Sequence, residues 1–386
     1  MFTLIIFVLV LSLLVFVHEL GHFLTARRFG IKAEEFGFGF PPRAIGFYKT
    51  LAGKWQLLRG SKEVTDAADT IYSINWIPLG GFVKIKGEDG ENLEPDSFGS
   101  KKIWQRAVVL SAGVTMNLVL AAFLLSIGFM IGLPQSLENL PAGAKVSDRK
   151  IQIMGVLDNM PANQAGLKLG DIIVDINGQR FDQQQSLTAY VNKHKGEVLA
   201  YNIKRAGENK IYNIKPVVQS GSDQAVIGVY LESTGLIRFT WYQAIWQGIK
   251  QTGILVWVIL IAFYDLIKGL FMGQGVGGDV AGPVGIATLT GQVARMGISY
   301  LIQFTALLSI NLAIINFLPI PALDGGRVLF LILEKIKGKP VRKELEGAMH
   351  NVGFMLLMLL VVIVTFHDII KLSAVQQLWH SVSGWF

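Results

Sequence analysis

Apolar positions along the chain fall into long runs separated by segments of mixed polarity. Four runs are predicted to cross a bilayer as single helices: residues 2–26, 107–133, 299–318 and 349–369. Between the second and third runs, residues 136–236 show the shorter alternations and Gly-containing turns of a folded soluble domain. The pattern predicts a polytopic α-helical membrane protein of about four transmembrane helices with one α+β domain outside the bilayer.

The first apolar run contains a cluster of ionisable residues, His18-Glu19-Leu20-Gly21-His22. Residues four apart leave the same face of a helix, so His18 and His22 can bind one zinc ion. Glu19 projects beside them and can accept a proton from the water that attacks a peptide bond. The alternative interpretations of so short a pattern are a chance match and two hydrogen-bonded core histidines. Ionisable groups inside an apolar run must face protein or a wet cavity.

Composition supports the membrane class and narrows the chemistry. Hydrophobic residues make up 51% of the chain and charged residues 16%, and the mean hydropathy is +0.45. The net charge of +7 comes from basic residues at the ends of apolar runs, which indicates membrane orientation and not nucleic-acid binding. Because the chain has no Cys, thiolate ligands and disulfides are excluded, and a zinc ion must use His and carboxylate.

The basic residues also predict how the helices are oriented. Arg27 and Arg28 end the first run, which places that end in the cytoplasm and the N-terminus outside. The zinc motif is then nearer the cytoplasmic face, and the soluble domain is extracytoplasmic. No basic segment precedes the first run and no cleavage site follows it, so we expect a retained membrane helix and not a signal peptide.

Residues 35–102 have the pattern of short strands and surface loops next to the membrane. Gly37-Phe38-Gly39-Phe40 precedes two prolines, and residues 70–76 and 78–83 form two further extended stretches. A helical substrate hides its peptide bonds in its own hydrogen bonds, and an open strand edge would give the unwound backbone new partners. A small packed sheet without this role is the alternative.

The soluble domain has one recognisable internal pattern. Residues 161–171 predict a short helix and a Gly turn, and residues 172–178 predict a strand that ends at an Asn-Gly turn. This order resembles a PDZ domain of the bacterial protease type, present in one copy. A PDZ domain implies a peptide ligand that adds a strand to the domain's sheet.

Asp324 is the best candidate for a third zinc ligand. Pro319 and Pro321 break the third apolar helix just before it, and Gly325-Gly326 loosens the chain after it. Irregular backbone at membrane depth is tolerated only where it lines protein or a cavity. An aspartate that caps the next helix, residues 325–336, is the alternative. The weaker rivals are Asp265, Asp279 and Asp368.

A fifth apolar run, residues 241–271, is interrupted by charged side chains and is not predicted to cross the membrane. If Asp324 is to meet the two histidines, the end of the third membrane helix must be cytoplasmic. An even number of crossings must then separate it from the extracytoplasmic domain, and the run is too short for two. We therefore expect residues 241–297 to form an interfacial or re-entrant helical region at the outer face.

Taken together, these motifs resemble the site-2 protease family of intramembrane zinc metalloproteases, and most closely its bacterial branch that includes the regulator of sigma-E protease. The residues that carry the resemblance are His18-Glu19-Leu20-Gly21-His22, Gly37-Phe38-Gly39-Phe40, Pro78-Leu79-Gly80-Gly81, Ala112-Gly113 to Asn117, Gly282-Pro283, and Asn316-x-x-Pro319-x-Pro321-x-Leu323-Asp324-Gly325. By this resemblance His18, His22 and Asp324 bind one Zn²⁺ and Glu19 is the general base.

The resemblance also implies partners and a location. The expected activity is regulated intramembrane proteolysis, in a bacterial inner membrane, of single-pass proteins such as an anti-sigma factor or signal-peptide remnants. The expected substrate-binding residues are Asn316, Pro319, Pro321, Gly37, Phe38, Gly39 and Phe40. Two departures stand out: the regulator of sigma-E protease has two tandem PDZ domains where this chain has room for one, and Val114 follows Ala-Gly where the family often has Pro.

Two other classes of function fit parts of the sequence. A zinc transporter accounts for intramembrane histidines and carboxylate, and a non-catalytic scaffold accounts for the PDZ domain. The predicted segments are residues 1–34 (first membrane helix), 35–102 (membrane-associated strands), 103–134 (second helix), 136–236 (PDZ domain), 241–297 (interfacial region), 298–326 (third helix), 327–346 (basic cytoplasmic loop), 347–370 (fourth helix) and 371–386 (interfacial tail).

Overall fold

A computed structural model of the chain describes residues 1–62, 64, 67–88, 94–137, 140, 143–205, 207–218, 224–272, 281–339 and 341–371. The chain divides into two compact units. Unit 1 comprises Met1–Phe123, Lys250–Gln292 and Phe304–Phe386, and unit 2 comprises Leu124–Ile249 and Val293–Gln303. Asp279 and residues 372–386 of the predicted tail lie outside the described residues.

The α-helices of the described chain are α1 Phe2–Arg28, α2 Ile103–Ile131, α3 Pro161–Gln164, α4 Gln184–Lys193, α5 Trp241–Phe271, α6 Pro283–Met296, α7 Ile298–Phe317, α8 Asp324–Lys337 and α9 Lys343–Lys371. Five of these described helices are long and apolar enough to cross a membrane, namely α1, α2, α5, α7 and α9. The four predicted membrane helices are among them. The fifth is α5, whose interfacial placement stays a prediction.

The β-strands of the described chain are β1 Ala33–Lys49, β2 Trp55–Arg59, β3 Ile71–Ile85, β4 Leu133–Ser136, β5 Lys145–Val156, β6 Ile172–Ile176, β7 Leu199–Arg205, β8 Glu208–Ile214, β9 Val217–Val218, β10 Ala225–Val226 and β11 Val229–Arg238. In unit 1 the sheet order is β2-β1-β3. Unit 2 has a six-stranded sheet of order β4-β11-β5-β6-β7-β8 and the two-stranded pair β10-β9.

The unit 1 sheet has longer strands than the sequence predicts. β1 and β3 run for 17 and 15 residues, whereas the Gly and Pro residues indicated several short strands. Each strand bends and continues because Gly39 and Gly80 adopt positive φ angles of 83° and 71° within it. Through this bend Gly37 pairs with both Ser73 and Phe82 of β3. The structure has strands in this region, as predicted, but the prediction that these strands are short was wrong.

Helix α1 packs directly on this sheet. The Ser12 hydroxyl donates a hydrogen bond to the Pro78 carbonyl (2.9 Å) and accepts one from the Gly80 N–H (3.2 Å). Phe36 of β1 stacks on Phe23 of α1, with ring centroids 4.5 Å apart. Ser12 and Phe23 lie within the apolar helix, so the sheet packs along the part of α1 that is suited to the bilayer.

A second set of contacts joins the other ends of the unit 1 helices. A cluster of buried apolar side chains contains Ala26, Ile31, Ile85, Phe98, Val109, Leu110 and Leu331. Beside it, Arg106 of α2 donates to Glu334 of α8 at 2.5 Å, and both side chains are largely buried. These contacts hold α1, α2 and α8 together near the residues that the sequence singled out.

Unit 2 contains the predicted soluble domain. The short helix α3, strand β6 and the turn after it occur where the sequence predicts them, and Asn177 and Gly178 both have positive φ angles (52° and 81°). Its core is built from alternate strand residues and α4, and includes Ile153, Ile173, Leu187, Leu199, Tyr201 and Ile203. Tyr300, at the start of α7, donates from its hydroxyl to Gln152 of β5 at 2.9 Å.

The helix that precedes Asp324 ends as the sequence predicts. α7 stops at Phe317 and α8 begins at Asp324, with an irregular segment of six residues between them. This segment contains Pro319 and Pro321, which lack the N–H groups that would continue α7.

Candidate metal centre

The two histidines of the first helix lie side by side. His18 and His22 are buried, with 6% and 7% of their surface exposed to solvent. They are one helical turn apart on α1, and their Nε2 atoms are 3.2 Å from each other. The motif therefore forms a single inward-facing pair, as the i, i+4 spacing predicts.

Asp324 completes the group. Its Oδ2 atom is 3.0 Å from Nε2 of His18 and 3.4 Å from Nε2 of His22. Among the described residues, this is the group of His and carboxylate side chains whose ligand atoms converge closely enough for one metal ion. Asp324 is the first residue of α8, and Leu323 occupies the N-cap position. Its carboxylate therefore faces the histidines and does not cap the helix.

The other candidate carboxylates are placed differently. Asp368 is buried on α9 and accepts a hydrogen bond from the Gly285 N–H at 2.7 Å, at the start of α6. Asp265 is exposed on α5, and Asp279 lies outside the described residues. The structure thus joins Asp324, and neither of the two described rivals, to the histidine pair.

The separations between the three ligand atoms fit zinc. A tetrahedral ion with bonds of about 2.0–2.1 Å holds its ligand atoms about 3.3 Å apart. The three observed separations are 3.2, 3.0 and 3.4 Å. In addition, Oδ2 of Asp324 is buried and accepts no hydrogen bond of good geometry from the described residues. Three ligand atoms at these distances face a shared centre and leave a fourth tetrahedral position for water or substrate.

The other nitrogen of each imidazole is held by α2. Nδ1 of His22 lies 2.9 Å from the Val109 carbonyl, and since a carbonyl only accepts, Nδ1 carries the proton and Nε2 keeps a lone pair for a metal. Nδ1 of His18 lies 3.2 Å from the side-chain amide of Asn117, whose Oδ1 is buried and has no hydrogen-bond partner in the described part of the chain. An amide rotation places Oδ1 as acceptor for the His18 Nδ1–H and gives this imidazole the same tautomer.

Gly113 makes room for the metal centre. A Cβ atom at this position would lie 2.3 Å from Nε2 of His22 and 2.7 Å from Nε2 of His18. Gly21 of α1 is equally close to α2, because a Cβ there would lie 2.5 Å from the Ala112 carbonyl oxygen. Small residues on both helices let their backbones approach, and this approach brings α2 against the histidine pair.

Glu19 lies beside the ligands and is held by the sheet. Its Oε2 accepts a hydrogen bond from the Val83 N–H at 3.2 Å. The carboxylate interacts electrostatically with His22, His18 and Asp324. The residues of β3 around Val83 pair with β1 on one side, and no other described strand pairs with their second side. The free edge of β3 therefore runs past the candidate base.

The predicted substrate-binding residues are not among the three side chains that converge. Gly37 is paired on both sides within the sheet, so its backbone offers no open edge. Phe38 and Phe40 expose 39% and 44% of their surface. Asn316 is half-buried in the last turn of α7, and Pro319 and Pro321 follow in the segment that leads to Asp324.

The sequence did not identify the residues that hold the ligands from α2. Val109, Gly113 and Asn117 are spaced four apart and form one stripe on this helix. The side chain of Asn117 contacts His18, a proposed metal ligand on another helix. The spacing of Gly113 and Asn117 was the available signal. No sequence signal pointed to the Val83 N–H, because almost every strand residue has a backbone N–H.

Comparisons with known proteins identify the family of the chain. A family model, Peptidase family M50, matches residues 6–58 and 62–360. The chain is 31% identical to zinc metalloprotease RasP of Geobacillus kaustophilus, over 95% of this chain and 97% of that protein. It is 30% identical to the regulator of sigma-W protease RasP of Bacillus subtilis, over 96% of this chain and 99% of that protein.

A solved structure is also similar in part. The PDZ domain of an SdrC-like protein from Listeria monocytogenes is 30% identical, covers 22% of this chain and 92% of its own, and has a TM-score of 0.21. The family match spans both the histidine pair and Asp324, and the RasP proteins match along nearly the whole chain. The protein is therefore a member of peptidase family M50, the site-2 proteases, and is a zinc metalloprotease with the apolar helices of a multi-pass membrane protein.

Proposed function

We propose that His18, His22 and Asp324 bind the zinc ion of this protease and that Glu19 is its general base. The observation that carries the proposal is the convergence of three ligand atoms within 3.4 Å of one another. One of them, Oδ2 of Asp324, has no hydrogen-bond donor among the residues that the structure describes. When bound, zinc would polarise the scissile carbonyl and lower the pKa of the attacking water. A transporter or a PDZ scaffold has no need of Glu19 beside such a centre.

Glu19 moves the proton in this reaction. It accepts the proton of the attacking water and delivers it to the leaving nitrogen as the peptide bond breaks. The hydrogen bond from Val83 fixes Oε2, which leaves Oε1 as the oxygen that exchanges the proton. Val109 and Asn117 keep the two imidazoles in the orientation that binds metal.

The unwound substrate segment adds to the free edge of β3. This edge reaches Glu19 at Val83, so a strand paired there would run close to the metal centre. Phe38 and Phe40 of β1, in the same sheet, supply exposed aromatic surface for apolar substrate side chains. Asn316 is assigned to the substrate strand or the oxyanion, and Pro319 and Pro321 keep the segment before Asp324 out of helix.

The substrates are single-pass membrane proteins, with an anti-sigma factor as the first choice and signal-peptide remnants as the second. The name of the Bacillus subtilis relative, a regulator of sigma-W protease, supports the first choice. The PDZ domain binds a peptide beside residues 229–232 of β11. These pair with β5 on one side, whereas β4 pairs with residues 234–237 and the Leu137 N–H donates to the Ser233 carbonyl. Helix α4 begins at the end of this segment, where the Gln184 N–H donates a hydrogen bond to the Ser233 hydroxyl.

The proposed setting is the bacterial inner membrane, with the N-terminus and PDZ domain outside and the metal centre nearer the cytoplasm. In this topology α5 lies at the outer face and α1, α2, α7 and α9 cross. The chain has no native Cys, so single substitutions report cleanly. An impermeant thiol reagent should label Met272→Cys and Asp182→Cys in intact spheroplasts, and Lys339→Cys only after lysis. Labelling of Met272→Cys only after lysis would refute the placement of α5.

The ligand assignment is tested by zinc content. Purified wild type should hold one zinc per chain, and His22→Ala and Asp324→Asn should lose most of it. Asp265→Asn is the matched control, because Asp265 is exposed on α5 and should leave zinc unchanged. Full zinc occupancy in Asp324→Asn at low free zinc would refute the assignment.

A further inference from the structure

The segment that delivers Asp324 to the metal centre is an irregular and closely packed turn. Ala322, two residues before the ligand, has a φ angle of +80°, which non-glycine residues rarely adopt. Such a conformation is unfavourable and persists only where the surroundings hold it. On the other side of the ligand, a Cβ at Gly325 or Gly326 would lie 2.2–2.3 Å from the carbonyl oxygens of Phe317 and Ile320.

Helix α9 supplies the contact that holds Ala322. The Ala322 N–H donates a hydrogen bond to Nδ1 of His350 at 2.8 Å. One turn further along α9, Gly353 lets the helix approach, since a Cβ there would lie 2.4 Å from the Pro321 carbonyl oxygen. The ring of Phe330 from α8 packs against the imidazole, with ring centroids 5.5 Å apart. The imidazole is thus fixed between two helices, and the lone pair of its Nδ1 faces the N–H of the strained Ala322.

We propose that His350 is a positioning residue for the metal centre, acting through the backbone of Ala322 to keep Asp324 in its ligand position. The inference rests on the proposed function, because it takes Asp324 to be a zinc ligand. Without an acceptor at His350, the Ala322 N–H loses its partner, and the peptide can relax out of the positive-φ conformation. Asp324 is two residues away and would shift with it.

The chemistry of the imidazole makes the proposal specific. Nδ1 accepts a hydrogen bond and therefore carries no proton, so what the loop needs from residue 350 is an acceptor at the δ position. Asparagine places its Oδ1 close to where histidine places Nδ1. Glutamine carries its acceptor one bond further out, and leucine has similar bulk to asparagine and no acceptor.

Zinc affinity tests the proposal without relying on cleavage. Purified full-length protein in detergent is titrated against a chromogenic zinc chelator, for wild type and His350→Leu, His350→Asn and His350→Gln. The matched control is His367→Leu, a histidine on the same helix that is exposed. A melting curve of each apo protein separates metal positioning from general loss of structure.

The expected result is a graded loss of affinity. His350→Leu should bind zinc about 10- to 100-fold more weakly than wild type, the range seen when outer partners of metal ligands are removed. His350→Asn should recover most of that loss, His350→Gln should recover less, and His367→Leu should match wild type. Apo melting temperatures of His350→Leu and His350→Asn should be similar.

Two outcomes would overturn the role of His350. One is wild-type zinc affinity in His350→Leu, and the other is an equal loss in the Leu, Asn and Gln variants. If His350→Leu does not fold, the order of Asn above Gln decides alone. Absence of zinc from wild type and His367→Leu would instead refute the metal centre itself, so the two failures are distinguishable.

Discussion

Two aspartates, one in each unit of the molecule, show how differently a carboxylate can be used. In unit 2, Asp171 is 1% exposed, accepts two hydrogen bonds of 2.6 Å from Arg205, and accepts the Lys168 N–H at 2.8 Å. Its carboxylate raises the pKa of the Arg205 guanidinium through these bonds. In unit 1, the buried Oδ2 of Asp324 has no such donor within the described ranges and faces two imidazole nitrogens.

The difference is a guide to function. A buried carboxylate whose oxygens are all paired stabilises the fold, since its desolvation is compensated locally. A buried oxygen that lacks a donor and faces other ligand atoms is unfavourable until a cation arrives. This contrast assigns Asp171 to the architecture of its domain and supports the proposal that Asp324 is a metal ligand. Substitutions at the two sites should change different properties, and the following predictions run from the largest to the smallest expected effect on zinc affinity.

Asp324→Asn should give the largest loss. Structural zinc sites contribute about 10–16 kcal/mol in total, so removal of one charged ligand of three should cost about 3–5 kcal/mol. That free energy corresponds to about 10²- to 10⁴-fold weaker zinc binding, measured by chelator competition. Unfolding of the apo protein should change little. Strong destabilisation of the apo protein with intact zinc binding would show that Asp324, like Asp171, stabilises the fold and does not bind the metal.

Gly113→Ala should follow. The added methyl group would overlap the ligand nitrogens of His22 and His18. The side chains and backbone must shift to make room for it, and such overpacking of a packed interior costs about 1–3 kcal/mol. We expect zinc affinity to fall about 10- to 100-fold. Gly253→Ala on α5 is the matched control, because a Cβ there meets nothing within 4 Å. Equal zinc affinity in the two variants would place the metal elsewhere.

Asn117→Ala should weaken zinc binding to a similar or smaller extent, about 10-fold, because His18 keeps its ligand nitrogen but loses its orienting partner. Asn311→Ala is the control, since among the described residues that side chain bonds the Leu307 carbonyl of its own helix. An unchanged zinc affinity in Asn117→Ala would show that Asn117 only joins two helices and does not orient His18 for the metal.

Asp171→Asn should leave zinc affinity unchanged and weaken unit 2. Loss of charge on a buried, hydrogen-bonded group should lower the local free energy of unfolding by about 2 kcal/mol. Amide hydrogen exchange in β6 and β7 is the measurement, and the exposed Asp182→Asn serves as control. A loss of zinc in Asp171→Asn without faster exchange would remove the distinction between the two aspartates.

The sequence predicted most of the helices and strands and the histidine pair of the candidate site. Long apolar runs specify helices without tertiary information, and the spacing of His18 and His22 determines that they share a face. The Asn177-Gly178 turn and the short helix α3 are equally local. Asp324 needed a distant motif and a family resemblance, because nothing local separates a ligand from a helix cap.

The rest depended on tertiary structure. The strands of unit 1 were expected to be short, yet β1 and β3 bend at Gly39 and Gly80 and continue. Gly113 matters because of a neighbouring helix, and the Val83 N–H matters because of Glu19. His350 has no partner spacing on α9, and its role follows only from the positive φ of Ala322.

Cleavage of a tagged single-pass membrane substrate by wild type and by Glu19→Gln, with bound zinc measured on both proteins, is the most direct test of the metal centre and its base. Glutamine keeps the size of Glu19 and its acceptor for the Val83 N–H but cannot take a proton. We predict zinc in both proteins and a rate at least about 10²- to 10⁴-fold lower in Glu19→Gln. Cleavage by Glu19→Gln at the wild-type rate, or no zinc in either protein, would contradict the assignment.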